Sequence, residues 1–462
     1  MRKSGRRLRT PARPARRIPT AVPSPENSPG QERISSLTIL SLAWPALLVL
    51  AATPLYLLWD TAVVGRLGAT QLAALAAGAT VLSTVTTQLT FLSYGTTARS
   101  ARLYGAGRLA DAIYEGIQAT WVAIAVGSTL AVTIFAACPI IMRALAPDPE
   151  VAQLATSWMQ ITCLSIVPAL VVMAGNGWLR GVANTRLPLL FTLAGVIPMA
   201  ITVPWAVHRF GVVGSALANV LGESIVAACF VATAMLWWRR FGDARPWRPD
   251  WSVIRPQLAM GKDLIVRSLS FQVAFLSAAA VAGRMGSGAL GAHQVLLQLW
   301  NFLTLVLDSV AIAAQALVGA ALGRKSRASA EAVAYRVIRF SVLAGLFIAA
   351  ALAAGSGYIP QLFTTDEVVL GRIGQAWWLL VVMVLIGSVV FALDGVLLGA
   401  SDVRFLRTAT VLSVVVGFIP LGWLSLALGW GLPGLWCGLL LFLVLRCGAV
   451  VWRFQSGRWA ES

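Results

Sequence analysis

Four of the eighteen carboxylates in the sequence lie well inside long apolar stretches, and they are the clearest candidates for chemistry: Asp60, Glu223, Asp308 and Asp394. An apolar environment disfavours the charged carboxylate, so such a group can bind and release a proton near neutral pH. Acids inside a membrane span are costly and are functional candidates by default. Asp60 is the leading candidate for a protonation site, because the stretch that holds it, residues 37–64, contains no basic residue to neutralise it.

The other three acids have alternative explanations. Glu223 lies about twelve residues into its apolar stretch, near the middle of a bilayer at 1.5 Å per residue, and could be a relay or a substrate contact. Arg267 is expected at a depth similar to that of Asp308, so an ion pair between them is an alternative to a functional role. Asp394 is expected near the end of its helix, where a water-facing or structural role is an alternative.

Several uncharged residues in the same stretches could also contact a substrate. Tyr56, Gln88, Asn176 and Gln294 can each form a hydrogen bond, either with a bound molecule or with a neighbouring helix. Pro54 lies six residues before the leading acid. It removes a backbone hydrogen bond and clashes with the preceding turn, which predicts a bend there.

The composition identifies the class of protein. The chain has 462 residues, of which 58% are hydrophobic and only 12% are charged, and its mean hydropathy is +0.79. A soluble protein of this length needs far more polar surface. The apolar stretches are continuous and do not alternate, which predicts an all-α integral membrane protein and disfavours a β-barrel.

Charge and cysteine content exclude other classes. The net charge is +18, but the basic residues lie in short loops between apolar stretches, which favours membrane lipids as their partner and disfavours nucleic acid. Five cysteines without a C-x-x-C motif and two distant histidines indicate neither a metal site nor a nucleophile with its base. We therefore expect no enzyme, no metal and no cofactor.

The hydropathy pattern predicts twelve transmembrane helices in two pseudo-symmetric six-helix bundles. We expect a disordered basic tail at 1–35, an N-terminal lobe at 36–238, a linker at 239–256 and a C-terminal lobe at 257–453. The predicted helices lie at about 37–64, 71–97, 112–138, 151–175, 187–207, 212–238, 257–284, 289–322, 333–358, 372–398, 404–428 and 432–452.

The loops predict the orientation. Only five of the 36 basic residues fall on the side opposite to the tail, and they are Arg66, Arg143, Arg209, Arg284 and Arg372. Positive residues concentrate in cytoplasmic loops. The distribution predicts a multi-pass protein of the cell membrane with both termini in the cytoplasm.

An internal repeat relates the two halves at a spacing of 218 positions. At this spacing VGRLGATQLAA from Val64 matches AGRMGSGALGA from Ala282, and GVANTR from Gly181 matches GASDVR from Gly399. Six helices per repeat give both halves the same orientation, which predicts an axis along the membrane normal with a cavity between the halves. This geometry suits a transporter with alternating access. Asp60 corresponds to Ala278, so its acid belongs to one half only.

The chain resembles the multidrug and toxic compound extrusion (MATE) family, particularly its DinF-like branch. The resemblance runs from about residue 37 to 450, and its motifs are PLYLLWDTAVVGRLG, LRGVANTRLP, VRSLSFQVAF, ALGAHQVLLQLWNFLTLVLDSVAIAAQALVG and FALDGVLLGASDVRFLR. It implies twelve helices in two lobes and export of organic cations and amphipathic compounds in exchange for H⁺ or Na⁺. The family's helix 1 aspartate falls on Asp60, its helix 8 LD motif on Asp308 and its helix 10 LDG motif on Asp394.

Two departures from the family pattern bear on the coupling ion. Many members have an Asn and an Asp in helix 5, where this chain has Pro198 and Thr202, and a glutamate common in helix 8 of the branch is Gln315 here. Na⁺ needs several oxygen ligands whereas a proton needs one carboxylate, so these departures favour H⁺ coupling.

The resulting hypothesis is a monomeric proton-coupled antiporter that exports small cationic or amphipathic molecules, with Asp60 as protonation site. Na⁺-coupled efflux is an alternative. Another is a flippase for a lipid-linked saccharide, which distant relatives perform and which a cationic cavity would favour. The four embedded acids point instead to a cationic cargo.

Overall fold

The computed structural model describes residues 35–146, 148–243 and 245–460, so all but the last residue of the predicted tail lies outside the described residues. The fold is entirely helical within that part of the chain, and twelve helices are long and apolar enough to span a membrane. They are α1 (Ser36–Gly65), α2 (Ala69–Gly105), α3 (Leu109–Leu145), α4 (Pro149–Gly181), α5 (Arg186–Phe210), α6 (Val212–Phe241), α7 (Trp251–Arg284), α8 (Ser287–Gly323), α9 (Arg327–Ala354), α10 (Glu367–Gly399), α11 (Val403–Ala427) and α12 (Gly431–Gln455).

All twelve predicted helices are confirmed, and the errors lie at their ends. The largest is at α2, which continues from the predicted end near 97 to Gly105 because polar residues extend the helix beyond its apolar part. Two helices are irregular inside. α2 has a break at Thr90, and α11 widens into a π-helical turn at Ser413–Phe418, just before Pro420, where a backbone donor is missing. The predicted division into lobes at 239–256 stays a prediction.

Proline shapes the packing of α1 without interrupting it. α1 is one continuous helix through Pro45 and Pro54. The C-terminal end of α1 is bonded to α5 through the Trp59 indole, which donates to the carbonyl oxygen of Ala200 at 3.0 Å. That carbonyl is available because the residue four positions on, Pro204, has no N–H to donate to it.

Backbone conformations repeat with the spacing seen in the sequence. Residues with positive φ occur at Gly68, Gly107, Ala183 and Gly211, and again 218 positions later, at Gly286, Lys325, Ser401 and Gly429. Each pair lies in equivalent inter-helix turns of the two halves. Three of these residues are not glycine and pay the steric cost of the left-handed region, so the turn geometry is imposed by the helices that it joins.

The two halves meet closely at one end of the bundle, the terminal face, which we define by Ser36, the linker 242–250 and Ala460. There a Cβ atom on Gly105 of α2 would overlap the carbonyl oxygen of Ala320, and one on Gly323 of α8 would overlap that of Arg102. Gly323 lies 218 positions after Gly105, and Ala320 lies 218 positions after Arg102. The halves therefore seal this face through a pair of reciprocal backbone contacts that only glycine permits.

Hydrogen bonds between the halves extend from this seal towards the middle of the bundle. Near the terminal face, the Gln257 amide donates to the Glu115 carboxylate at 2.8 Å. Further in, the Gln315 amide donates to the carbonyl oxygen of Tyr94 at 2.6 Å. These contacts close the terminal half of the interface between the lobes.

The linker is held against α3. Trp121 and Gln118 donate side-chain hydrogen bonds to the carbonyl oxygens of Trp247 and Arg248, both at 3.0 Å. Arg245 pairs with Asp111 at 2.6 Å. The start of α7 is thereby fixed relative to the N-terminal half.

We predict that Gly105→Val disrupts the seal. A branched side chain would have to displace the Ala320 backbone, and overpacking of this kind costs about 1–3 kcal/mol. The midpoint of thermal unfolding, measured by intrinsic fluorescence of the purified protein, should fall by several degrees. Gly448→Val is the matched control, because a Cβ at Gly448 meets no atom within 4 Å. Equal midpoints for the two variants would contradict the close packing.

Candidate functional site

Asp60 lies in the outer part of α1, five residues before its end, or about 8 Å along the helix axis from the face opposite to the termini. Its side chain is only 3% exposed. The Ser215 hydroxyl donates to one carboxylate oxygen, Oδ2, at 2.6 Å, and the Trp158 indole donates to the same hydroxyl at 3.4 Å. Because the Ser215 oxygen accepts from Trp158, the proton of the Ser215 hydroxyl points to Asp60.

The second oxygen of Asp60, Oδ1, has no hydrogen-bond partner within the part of the chain that the structure describes. No arginine, lysine or histidine of the described residues forms an ion pair with this acid either, whereas other buried acids do have such partners, among them Glu115 and Asp394. Asp60 is thus a buried acid held by one neutral donor, with an oxygen left for a proton or a ligand.

Two further candidates lie near Asp60. Asp60 and Glu223 both act electrostatically on the hydroxyl group of Tyr56. Tyr56 is 4% exposed and its hydroxyl has no partner among the described residues. Glu223 is half-buried on α6. The sequence candidates Asp60, Tyr56 and Glu223 therefore form one acidic cluster in the N-terminal half, which we call the N-half cluster.

Asp308 lies where the halves meet. The Tyr94 hydroxyl of α2 donates to its Oδ2 at 2.9 Å. Arg180, which is 5% exposed and donates to the Ser93 hydroxyl at 3.4 Å, acts electrostatically on the same acid. Arg267 also acts electrostatically on Asp308, but the alternative of a direct Arg267–Asp308 ion pair is wrong, because the Arg267 guanidinium is bonded to another acid.

That acid is Asp394, which accepts from two arginines. Arg267 of α7 donates to its Oδ2 at 2.6 Å, and Arg446 of α12 donates to the same oxygen. Both guanidinium groups lie over the ring of Phe271, at 5.6 and 4.6 Å from its centroid. Asp394 is 4% exposed and Arg446 is 2% exposed. We call Asp394, Arg267, Arg446 and Phe271 the C-half cluster.

The two clusters differ in charge. The N-half cluster has two acids and no base, whereas the C-half cluster has two arginines for one acid. The expectation that the embedded charges are mainly acidic is therefore wrong for the molecule as a whole and holds for its N-terminal half. The cause of the error is Arg180, Arg267 and Arg446, which the loop-based assignment treated as residues of the terminal side.

The other sequence candidates are dispersed. Gln88 donates to Gln272 of α7 at 2.5 Å, and so joins the halves. Asn176 is buried on α4, with an amide oxygen that has no partner among the described residues. Gln294 is exposed on α8 and does not join either cluster. The bend predicted at Pro54 stays a prediction, since the helix is continuous there.

The sequence did not predict which side chains donate hydrogen bonds to Asp60 and Asp308. Ser215 and Tyr94 gave no signal in the sequence, because an isolated hydroxyl in an apolar stretch is usual. In α5, Thr202 stands where many members of the family have an acid, and its hydroxyl donates to the carbonyl oxygen of Met199 in the same helix. Among the described residues, no group of three or more His, Cys, Asp or Glu side chains is placed to hold a metal ion.

Comparison with known proteins agrees with this architecture. The MatE family profile matches residues 45–205 and again 264–424, which confirms the internal repeat. The chain is 30% identical over 451 residues to Protein DETOXIFICATION 44, chloroplastic, of Arabidopsis thaliana, covering 93% of this chain and 84% of the relative. It is 28% identical over 442 residues to the DNA damage-inducible protein F of Escherichia coli strain K12, covering 92% and 94%.

The fold also matches a solved structure. A MOP superfamily transporter from Pyrococcus furiosus superposes with a TM-score of 0.82 at 20% identity, covering 92% of this chain and 96% of the archaeal one. Since the identity is low, this likeness concerns the fold alone.

We predict that Asp394 is essential for the stability of the C-terminal half. Asp394→Asn would leave the buried Arg446 and the half-buried Arg267 without a counter-charge, which costs about 3–5 kcal/mol. Thermal unfolding of the purified protein should show a large loss, and the exposed acid variant Glu367→Gln should not. Adding Arg446→Gln should recover part of the loss. If Asp394→Asn is as stable as Glu367→Gln, the pairing does not support the fold.

Proposed function

Because the chain belongs to the MATE family of multidrug efflux transporters, as its sequence motifs predicted, we propose that it exports cationic or amphipathic small molecules in exchange for protons. Asp60 is the proposed protonation site. The observation that carries this proposal is the buried Asp60 carboxylate, which has one neutral donor, Ser215, and no basic partner among the described residues. A group in this environment changes its charge state when a proton or a cation arrives.

The proton and the cargo compete for the N-half cluster. A cationic cargo is attracted while Asp60 and Glu223 are charged, and it loses that attraction when Asp60 takes up a proton. Opposed preference of the two ligands for one site is what coupling requires. The cluster has two acids and no base, which supports a cationic cargo there.

The closed terminal face supports an order in which the proton binds and the cargo is released. The terminal face is closed by the Gly105 and Gly323 contacts, and Asp60 lies near the opposite face. We place the terminal face in the cytoplasm of the cell, since 28 of the 36 basic residues remain assigned to that side when Arg180, Arg267 and Arg446 are left out of the 31 first assigned there. Protons then reach Asp60 from outside in this state, and the neutral acid lets α1 bend near Pro54 and release the cargo outward.

H⁺ is favoured over Na⁺ as coupling ion. Na⁺ needs several oxygen ligands, whereas the groups near Asp60 are the Ser215 hydroxyl, which is already bonded to Asp60, the Tyr56 hydroxyl and the half-buried Glu223. The α5 position where many family members have an acid is occupied by Thr202, whose hydroxyl is bonded within its own helix. A proton needs only the free Asp60 oxygen.

The proposal is tested by ethidium efflux from proteoliposomes that contain the full chain, under an imposed pH gradient or an imposed Na⁺ gradient. We expect efflux with the pH gradient alone. Asp60→Asn should abolish it because the amide cannot change charge, and Asp60→Glu should retain part of it. Glu367→Gln, which changes an exposed acid outside the clusters, is the control.

Two outcomes would contradict the proposal. Wild-type activity of Asp60→Asn under a pH gradient would exclude Asp60 as the coupling site. Efflux driven by Na⁺ alone would replace the proton as coupling ion. Thermal unfolding of each variant shows separately whether the protein is folded.

A second prediction concerns the bend in α1. Pro54→Ala restores a backbone donor and removes the ring clash, so it should hold α1 straight and slow pH-driven efflux several-fold. Pro45→Ala, in the same helix but about two and a half turns further from Asp60 than Pro54, should have the smaller effect. Equal rates for Pro54→Ala and the wild type would show that no bend at this residue limits transport.

The C-half cluster supports a second candidate, a flippase for a lipid-linked saccharide. Its two arginines could face a diphosphate headgroup, since guanidinium groups bind phosphate oxygens through paired hydrogen bonds. The Pyrococcus furiosus transporter is described as having a binding pocket of reverse polarity that suggests a different function for it. Movement of a fluorescent diphosphate lipid between leaflets, with no ethidium efflux under either gradient, would favour this candidate.

A further inference from the structure

An apolar groove of about 390 Å³ lies between the two halves on the outer surface of the bundle. One wall is formed by residues 121–126 of α3, and the other by the end of the linker and the first turns of α7, with Trp251, Ile254 and Leu258. Trp251 is 67% exposed. The groove begins at the level of the linker and follows α3 and α7 into the membrane, so it is open towards lipid.

Two arginines stand at the linker end of this groove. Arg248 directly precedes Pro249, which lines the groove, and Arg255 lies one helical turn from both Trp251 and Leu258, on the same side of α7. Both arginines are exposed, and neither forms an ion pair within the described ranges. Tryptophan and arginine side chains at this depth are typical of the headgroup level of a bilayer.

The acids of the linker do not neutralise these arginines. Asp243 pairs with Arg245 at 2.7 Å, and this guanidinium holds the pKa of Asp243 below its usual range. Asp250 accepts from the Ser252 hydroxyl at 2.6 Å and from the Tyr114 hydroxyl at 3.3 Å. Asp250 keeps its negative charge, because its donors are neutral hydroxyl groups, but two arginines without ion pairs against this one acid still leave an excess of positive charge at the linker end of the groove.

We propose that the groove is a binding site for an anionic phospholipid of the leaflet at the terminal face, with an acyl chain between α3 and α7 and the phosphate between Arg248 and Arg255. The apolar lining accounts for the chain and the unpaired guanidinium groups account for the headgroup charge. A zwitterionic lipid has the same phosphate, but its ammonium group is repelled by the two arginines, so it gains less from them than a lipid with a net negative charge.

Native mass spectrometry of the delipidated full chain tests the site, with dioleoyl phosphatidylglycerol and dioleoyl phosphatidylcholine as probes. We expect tighter binding of the phosphatidylglycerol. In Arg248→Gln/Arg255→Gln its dissociation constant should rise by about thirtyfold, the expected effect of two arginines at a headgroup. Ala125→Trp, which fills the groove, should weaken both lipids.

The control is Arg186→Gln/Arg324→Gln, which removes the same charge from exposed arginines away from the groove. It should leave both lipids bound as in the wild type. An equal effect of the two arginine pairs would reduce the binding to general attraction by the basic face and overturn the proposal. Phosphatidylglycerol binding that Ala125→Trp does not change would also overturn it, and so would a dimer that Ala125→Trp abolishes, since the groove would then hold a second copy of the chain.

Discussion

An ionised side chain inside an apolar bundle needs a neighbour that neutralises it, and this constraint decides which polar residues of the molecule are structural and which are available for function. Asp394 meets it with two arginines, and Glu115 meets it with Arg99 and the Gln257 amide. Both acids tie several helices together. Asp60 and Asp308 differ from these two acids, because the single hydrogen-bond donor of each is a hydroxyl group. Arg180 acts on Asp308, whereas Asp60 has no base beside it among the described residues, so Asp60 is the acid that responds most directly to a proton.

The same constraint makes the two halves chemically different although their backbones repeat. In the C-half cluster the acid is bonded to two guanidinium groups, whereas the acids of the N-half cluster have no basic partner among the described residues. Asp308 lies between them, with the hydroxyl of Tyr94 from the other half.

The sequence predicted the features that depend on helix length and on the spacing of the repeat. It missed the contacts that depend on which way a side chain points around its helix axis. Bilayer thickness sets the number of apolar residues in a span, so all twelve helices and the spacing of 218 were visible. One residue turns a helix by about 100°, so similar depth does not establish contact. Arg267 was matched to Asp308 by depth, whereas its side chain faces Asp394. The bond from Trp59 to Ala200 was invisible for another reason, since its acceptor is a carbonyl set free by Pro204.

The paired contacts of Gly105 with Ala320 and of Gly323 with Arg102 have the form of an isologous interface, in which one surface patch meets its own copy across a two-fold axis. Such an interface would have served a homodimer of six-helix chains, where one glycine position supplies both contacts. A homodimer, however, must carry every acid twice. In a chain that holds both halves, each half can differ from the other, and here one has Asp60 where the other has Ala278.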